Sequence, residues 1–428
     1  MAATDVEREI DAVWRIEQAR LIAGLTRLTR DVGSAEELAQ DALIVALEQW
    51  PRTGVPDKPG AWLMAVARNR ALDRLRRAKL AERKHAELGR AMEIEREFDA
   101  PDPDAALDDD IGDDLLRLIF VACHPVLPTE ARVALTLRLI AGLTTGEIAR
   151  AFLQQESTIA QRIVRAKRTL AEKRVPFEVP PEPERADRLA SVLDVIYLIF
   201  NEGYSATAGD SWVRPSLCEE ALRLGRILAG LSPDEPEVHG LVALMELQAS
   251  RLAARIGPSG EPILLLDQDR ARWDRLLIRR GLAALERAET LAASQRRLPG
   301  PLTVQAALAA CHTRAPTATD TDWVRIVGLY GALADLMPSP VVELNRAVAV
   351  SMAYGPEAGL ALVDRLTSEP ALKAYHLLPS VRGDLLARLG RLDEAGTEFT
   401  RAASMTENIR ERELLVRRAA ACAEGRLP

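Results

Sequence analysis

Two breaks in the sequence most constrain the fold, because no single helix or core can run through them. Between Glu93 and Asp114 lie eleven acidic residues and one arginine, with prolines at 101 and 103. A stretch with so much like charge and so few apolar residues is expected to form a solvated linker. The second break, Val175–Pro183, holds four prolines, which keep the chain extended and prevent helix continuation. The 428 residues are therefore expected to fold as separate domains.

The amino-acid composition indicates which secondary structure the segments around these breaks adopt. Aromatic residues make up only 4% of the chain, whereas Ala, Leu and Arg recur throughout. Strands are enriched in aromatic and β-branched residues, so this mixture predicts an all-α fold. A formal net charge of -7 by itself argues against nucleic-acid binding, but it averages over blocks of opposite sign. Eight Arg or Lys residues between Arg68 and Lys84 are opposed by only two acids, which makes this block locally basic.

The sequence has no constellation typical of an enzyme or a metal site. It lacks the phosphate-binding, dinucleotide-binding, zinc-protease and nucleophile-elbow motifs, and its five histidines are scattered. The cysteines at 123, 218, 311 and 422 have no zinc spacing, so we expect lone buried thiols. The N-terminus lacks a signal-peptide pattern, and no apolar run approaches the roughly 20 residues of a membrane span. We expect a cytoplasmic protein that is not an enzyme and uses no membrane, cofactor or metal.

Residues 144–173 predict two helices joined by a turn. Thr144 and Glu147 form a capping-box pattern for the first helix, and Ser157 is expected to N-cap the second. At about 100° per residue, one side of the second helix is apolar; it carries Ile159, Ile163, Ala166 and Leu170. The opposite side carries Thr158, Gln161, Arg165 and Arg168, with Arg162 on the flank. Because Arg and Gln reach base edges in the major groove, this pattern is typical of a helix-turn-helix. Solvated arginines on an ordinary amphipathic helix are the alternative.

A helix over Ala61–Arg77 has a second polar face. Its apolar stripe is Leu63, Met64, Ala67, Ala71 and Leu75. The opposite face gathers Trp62, Val66, Asn69, Asp73, Arg76 and Arg77, with Arg70 at its edge. Such a surface could hold phosphates while it contacts unstacked bases. Two simpler interpretations are that Trp62 packs in the core and that Asp73 pairs with Arg70 or Arg77.

An acidic helix precedes this basic one and runs to about Trp50. Its projecting polar residues are Glu36, Glu37, Gln40 and Asp41. An acidic surface suits a protein partner better than DNA, although solvation alone explains it about as well.

Three segments together resemble a known family, the extracytoplasmic-function (ECF) sigma factors. The segments Ala35–Ala42 and Ala61–Arg77 resemble the second domain of those proteins, and Leu143–Leu170 resembles their fourth. The acidic linker stands where other sigma factors have a third domain. The segment Leu264–Arg270, with Trp273 and Asp274 after it, is similar to a helical extension found in one subgroup.

The resemblance implies roles for particular residues. The polymerase-binding set, which would contact the clamp helices of the β′ subunit of core RNA polymerase, is Glu36, Glu37, Gln40 and Asp41. Asn69 would lie near a base flipped from the promoter -10 element, and the loop Arg52–Lys58, which lacks an aromatic residue here, would help to capture that base. The rest of the -10 set is Arg70, Asp73, Arg74, Arg76 and Arg77. The -35 set is Thr158, Gln161, Arg162, Arg165 and Arg168, the last on phosphate.

The last part of the chain has a repeat pattern. Small and large residues recur at tetratricopeptide (TPR) spacing, with Gly390 at the turn between two helices; they are Gly383, Leu386, Gly390, Ala395, Phe399 and Ala402. Generic amphipathic helices with Ala at close contacts are the alternative. We expect an α-solenoid or TPR-like domain here.

These patterns predict five consecutive segments. They are sigma region 2 over 1–84, an acidic linker over 85–112, helix-turn-helix region 4 over 113–174, a Pro-rich spacer over 175–186 and a TPR-like extension over 187–428. The expected function is promoter-specific initiation with RNA polymerase core and promoter DNA as partners. The alternative is a DNA-binding regulator that never joins polymerase.

The linker and the extension carry further hypotheses. The linker would cover the basic faces or lie in the RNA path of polymerase. The extension would regulate activity through a protein or peptide ligand, or would bind a small ligand. The polar groups for a small ligand would be Asp267, Asp269, Arg270 and Asp274, for which helix capping and ion pairing are the simpler roles.

Overall fold

The computed structural model describes residues 3–86, 109–206, 208–209, 212–258 and 260–427. The chain forms two compact units, Met1–Val195 and Ile196–Pro428. Helices account for nearly all regular structure in these described ranges, so the predicted all-α fold is confirmed. The exception is a pair of two-residue strands in the C-terminal unit, β1 (Ala208–Gly209) and β2 (Glu407–Asn408), which pair in parallel.

The N-terminal unit is built from helices that pack around α1. The helices that begin in this unit are α1 (Ala3–Thr29), α2 (Val32–Thr53), α3 (Pro59–Ala86), α4 (Asp109–Ala122), α5 (Thr129–Leu139), α6 (Thr145–Ala151), α7 (Glu156–Glu172) and α8 (Glu184–Tyr204). Helix α1 packs against α2, α3, α4 and α5, and α7 packs against α2, α5 and α6. The predicted second-domain and fourth-domain segments therefore share one compact unit.

The first turn of α4 contains residues that were expected to belong to the acidic linker. Helix α4 begins at Asp109, whereas the linker was predicted to continue to residue 112. Acids near a helix N-terminus interact favourably with the helix dipole, which explains why they extend the helix. The side chain of Asp114 is buried and accepts from Arg117 at 2.6 Å, and Arg27 lies 3.4 Å from its other oxygen.

The C-terminal unit is a succession of helices, each packed on its neighbours in sequence. Its helices are α9 (Pro215–Leu231), α10 (Pro236–Ala249), α11 (Arg275–Ser294), α12 (Pro301–Arg314), α13 (Trp323–Leu336), α14 (Pro340–Tyr354), α15 (Pro356–Leu366), α16 (Leu377–Arg388), α17 (Leu392–Met405) and α18 (Ile409–Ala423). Short 3-10 turns occupy Leu252–Ala254, Leu265–Asp267, Arg270–Arg272 and Pro370–Leu372. Neighbour-to-neighbour packing is the organisation that a solenoid requires.

The predicted close approach of two helices near the C-terminus is present between α16 and α17. A Cβ atom on Gly383 would lie 2.9 Å from Cε1 of Phe399, whose ring is fully buried. Gly390 joins the two helices with a φ of +74°, a conformation that glycine adopts without strain. Ala395 and Ala402 are also fully buried in this pair. Their assignment to a TPR remains a prediction.

The four cysteines are all buried and free. Burial raises the pKa of Cys123 to about 11 and that of Cys218 to about 12. These two thiols therefore remain protonated near neutral pH and pack as small apolar groups.

Substitution of Gly383 by Val should lower the thermal unfolding midpoint of the C-terminal unit. The added methyl groups would overlap the Phe399 ring, and overpacking of this kind costs about 1–3 kcal/mol. The matched control is Gly328→Val on α13, where a Cβ atom would meet nothing within 4 Å. Calorimetry of the full chain measures both variants; equal midpoints for the two would contradict the packing argument.

Candidate functional site

The exposed face of α7 is the one that the sequence predicts. Ile159, Ile163, Ala166 and Leu170 are buried, whereas Thr158, Gln161, Arg165 and Arg168 are exposed and Arg162 is half-buried. The predicted start of the helix was wrong. Gln155 is the N-cap residue and makes no side-chain capping bond, so Ser157 lies inside the first turn. The polar face is unaffected because the helical phase is set by the apolar stripe.

Helix α6 is fixed by the predicted capping box. The backbone N–H of Glu147 donates to Thr144 Oγ1 at 3.2 Å, and the backbone N–H of Thr144 donates to Glu147 Oε2 at 2.7 Å. Burial raises the pKa of Glu147, but the Thr144 hydrogen bonds and the charges of Arg15 and Arg150 outweigh it and lower the pKa overall. The carboxylate is therefore ionised near neutral pH and keeps α6 in place before the turn to α7.

The polar face of α3 brings predicted DNA-binding and polymerase-binding residues into one ionic cluster. Asn69 and Asp73 are exposed. Arg74 Nη2 lies 2.9 Å from Asp41 Oδ2, and Arg74 Nη1 lies 3.3 Å from Glu37 Oε2. Arg70 lies 3.5 Å from the same Asp41 carboxylate.

Two residues of the predicted -10 set cannot be placed beyond the backbone. The side chains of Arg76 and Arg77 lie outside the described residues, although both positions belong to α3. Residues 87–108 of the predicted acidic linker also lie outside the described residues, and with them the hypothesis that the linker covers the basic faces.

The tryptophan of α3 has the packing role that the simpler interpretation gave it. Trp62 is half-buried and meets the fully buried Trp50 of α2 edge-on, with ring centroids 5.2 Å apart. Edge-to-face aromatic pairs stabilise beyond their buried area. This contact holds the start of α3 against the end of α2, on either side of the loop that follows Thr53.

Glu36 is not on the surface. The residue is only 3% exposed, and Arg138 Nε of α5 donates to its Oε1 at 2.7 Å. The ammonium group of Lys167 on α7 contacts the other carboxylate oxygen, Oε2. Gln40 also donates to Oε1, at 2.9 Å. We call Glu36, Arg138 and Lys167 the buried charge triad.

The triad joins the acidic helix to the predicted recognition helix. Arg138 and Lys167 were absent from the sequence-based site, although Lys167 lies one position after Ala166 of the apolar stripe, at its edge. Two further contacts join α1 to α5 and α6. Buried Gln18 donates to the Arg138 carbonyl at 3.1 Å, and Arg15 lies 3.9 Å from Glu147.

Comparisons with known proteins agree with this division of the chain. Residues 14–80 match sigma-70 region 2, and residues 117–170 match sigma-70 region 4. Residues 188–289 match a family of unknown function, DUF6596. The two sigma-70 regions define the N-terminal unit as that of a transcription initiation factor.

Similar curated proteins specify the family. The chain is 45% identical to an uncharacterized protein of Rhizobium meliloti (strain 1021), over 94% of this chain and 93% of that protein. It is 30% identical to the ECF RNA polymerase sigma factor SigK of Mycobacterium sp. (strain KMS), over 37% of this chain and 80% of that protein. It is 28% identical to the probable ECF RNA polymerase sigma factor SigI of Mycobacterium tuberculosis (strain ATCC 25618 / H37Rv), over 41% of this chain and 59% of that protein. The chain belongs to the ECF sigma factors of the sigma-70 family.

Two further searches found nothing. No solved structure matches the chain. Within the described residues, no helix is long and apolar enough to span a bilayer.

Substitution of Glu36 by Gln should loosen the packing of α7 on α2. It would leave Arg138 and Lys167, about 20% and 21% exposed, without their anion, and breaking a buried pair in this way costs about 3–5 kcal/mol. Amide hydrogen exchange of α2 and α7, followed by mass spectrometry, should accelerate at least roughly tenfold.

The neighbouring variant Glu37→Gln is the control, because Glu37 makes an exposed pair with Arg74. Exposed pairs contribute about 0–1 kcal/mol, so exchange should change little. Equal exchange rates in the two variants would refute a special role for the buried charge triad.

Proposed function

We propose that this sigma factor binds core RNA polymerase through α2, contacts the -10 element through α3 and reads the -35 element through α7. The observation that carries the proposal is the pair of exposed polar faces on α3 and α7, in a chain whose regions 2 and 4 match those of sigma factors. Core polymerase acts in the cytoplasm, so we propose that location for the protein.

Recognition of the -35 element rests on the exposed face of α7. Gln161, Arg162 and Arg165 carry the groups that reach base edges in the major groove, with Thr158 beside them. Arg168 donates to Glu172 at 2.6 Å, and both side chains are largely exposed. Such a pair is worth little, so Arg168 can exchange this carboxylate for a DNA phosphate.

The proposed contact with the -10 element likewise rests on exposed polar side chains, here those of α3. Asn69 and Asp73 are exposed for a base, and Arg70 and Arg74 are held near it by Asp41 and Glu37. The arginine side chains are 42% and 43% exposed in these pairs, so their release costs about 0–1 kcal/mol each. Flipping a base costs a few kcal/mol, and phosphate contacts from this face, with Arg76 and Arg77, would offset that cost.

Polymerase binding requires a larger change. Glu37, Gln40 and Asp41 can reach the β′ clamp helices directly, but Glu36 is buried beneath α5 and α7. We infer that the free protein is closed and that polymerase binding separates region 4 from α2. This requires polymerase to bind the open state more tightly than the closed state.

The extension is proposed to regulate this opening, and a protein or peptide ligand of its helical array is the proposed input. Helix α8 limits how this idea can be tested. Its first half belongs to the N-terminal unit, where Ser191 Oγ donates to the Cys123 carbonyl at 2.8 Å and Arg188 donates to the Phe120 carbonyl at 2.9 Å. A truncation after Pro183 would remove these contacts together with the extension.

Substitution of Arg165 by Ala should lower and redirect promoter use. Loss of one base-reading side chain costs about 1–3 kcal/mol and relaxes the preference at one base. The control is Arg168→Ala, which should weaken all promoters alike because it removes a phosphate contact. Reconstitution with core polymerase on genomic DNA, with mapped transcription starts, measures both. Duplex binding without any polymerase-dependent transcription would favour a regulator that never joins polymerase.

Truncation after Val195 should change run-off transcription by at least roughly fivefold, about 1 kcal/mol of coupling. The comparison is truncation after Pro183, which also removes the first half of α8. A change only in the shorter protein would attribute the effect to α8 packing and would contradict regulation by the extension.

A further inference from the structure

The C-terminal unit contains three arginines that lie close together around shared aromatic rings. Arg251 is only 8% exposed, and Arg255 and Arg270 are half-buried. Among the described residues, no carboxylate forms an ion pair with any of them. We call Arg251, Arg255 and Arg270 the arginine cluster.

Aromatic rings connect the three guanidinium groups. Arg255 Cζ lies 3.9 Å from the centroid of the Tyr204 ring and 5.5 Å from that of Trp212. Arg251 Cζ lies 5.8 Å from the Tyr204 ring and 6.0 Å from the Trp273 ring. Arg270 Cζ lies 4.6 Å from the same Trp273 ring. Arg251 therefore shares one ring with each of the other two arginines, so the cluster is a single site.

The hydrogen bonds of the cluster go to neutral acceptors. Arg255 donates to the Tyr204 carbonyl at 3.1 Å, and Arg270 donates to the Ala315 carbonyl at 2.6 Å and the His312 carbonyl at 2.5 Å. These bonds orient the guanidinium groups but do not neutralise them.

The nearby acids accept hydrogen bonds from other groups. Asp269 accepts from the Ala271 N–H, and Asp274 accepts from the N–H groups of Leu276 and Leu277. Asp320 accepts from the N–H and the hydroxyl of Thr317. The acids at 269 and 274 therefore have the capping role that the simpler interpretation of the sequence gave them.

Among the described residues, several buried donors at this site find no acceptor. They are Arg251 Nε, Arg255 Nε, Trp212 Nε1 and Trp273 Nε1. Native proteins pair nearly all buried donors, because an unpaired one forfeits its hydration without compensation. Four unpaired N–H groups around three like charges are chemically complementary to an oxyanion, whose oxygens accept several hydrogen bonds at once.

The electrostatics agree with this geometry. Burial lowers the pKa of Arg270, the charge of Arg251 lowers it further, and the charge of Asp320 raises it by less than these two lower it. Burial and the charges of Arg251 and Arg270 lower the pKa of His312 to about 3, so this imidazole is neutral near neutral pH. The three arginines therefore give the site a positive potential, which Asp320 offsets only at Arg270.

We propose that the arginine cluster binds a small-molecule oxyanion, a carboxylate or a phosphate, through the unpaired donors of Arg251, Arg255, Trp212 and Trp273. The rings of Tyr204 and Trp273 hold the guanidinium groups in place for it. Binding itself does not rest on the proposed function. Only the further idea that the anion acts as a signal for the sigma factor does, and the test below uses no polymerase.

The test is thermal unfolding of the full chain with three anions. Orthophosphate and pyrophosphate represent phosphate ligands, citrate represents carboxylates, and sodium chloride at matched ionic strength is the reference. We expect a saturable rise in Tm with the phosphate probes or with citrate, because a ligand that binds only the folded state stabilises it. The probe that acts identifies the source of the oxyanion.

The decisive variant is Arg251→Met, which keeps an apolar stem and removes the charge and the donor. It should abolish the anion-dependent rise without lowering the Tm in chloride, because it also removes like-charge repulsion. The control is Arg417→Met on α18, which replaces an exposed arginine and should keep the full response. A response retained in Arg251→Met, or no anion response in the wild-type chain, would overturn the proposal.

A second variant covers the case in which Arg251→Met does not fold. Trp273→Phe keeps a ring beneath Arg270 and removes a single donor. Calorimetric titration with the active probe should give at least roughly tenfold weaker binding than wild type, as expected for the loss of one charge-assisted hydrogen bond. Unchanged affinity in this variant would refute the assigned donors.

Discussion

The contact of Glu36 with Arg138 and Lys167 is the interaction on which the arrangement of the N-terminal unit depends. A carboxylate that is 3% exposed needs positive partners, because desolvated charge without a partner is strongly unfavourable. Its partners lie on α5 and α7, so the helix-turn-helix must remain against α2 for as long as Glu36 stays buried. A single side chain thereby links the proposed polymerase-binding surface to the proposed promoter-reading surface.

The other ion pairs of this unit behave differently. Arg70 and Arg74 pair with Asp41 and Glu37 through side chains that are between 31% and 69% exposed. Exposed pairs of this kind contribute about 0–1 kcal/mol, whereas disruption of a buried one costs about 3–5 kcal/mol. The exposed pairs can give way to DNA with little loss, but the buried charge triad opposes opening. The face with the exposed pairs can therefore bind a ligand directly, whereas a partner must first uncover the buried charge triad.

The sequence predicted what depends on local periodicity and failed where tertiary packing decides. The polar face of α7 and the capping box at Thr144 follow from spacing alone, and both are present. The N-cap at Ser157 was wrong because several polar residues precede α7, and the sequence does not say which of them begins the helix. The burial of Glu36 could not be predicted, since it requires α5 and α7 to lie against α2. From the sequence, Glu36 was an acid like Glu37, one position away.

The same distinction applies to the C-terminal unit. Gly383 and Phe399 were both assigned from TPR spacing, which is a local pattern, and the two residues meet between α16 and α17. The sequence drew attention to the acids at 269 and 274, but these cap helices. Arg255 of the arginine cluster acquires its setting from Tyr204 and Trp212, which lie much earlier in the chain. A contact between residues so far apart in the chain produces no periodic pattern in the sequence.

The buried charge triad and the arginine cluster therefore treat buried charge in opposite ways. In the triad, Arg138 and Lys167 neutralise Glu36, so this carboxylate has its counter-charges without any ligand. In the arginine cluster, Arg251 is buried beside two further arginines, its site has donors without an acceptor among the described residues, and the acids at 269 and 274 accept from backbone groups. A complete arrangement resists change until a partner competes with it, whereas an incomplete one gains stability from a ligand. The first behaviour suits the part of a sigma factor that waits for polymerase, and the second suits a domain that responds to an anion.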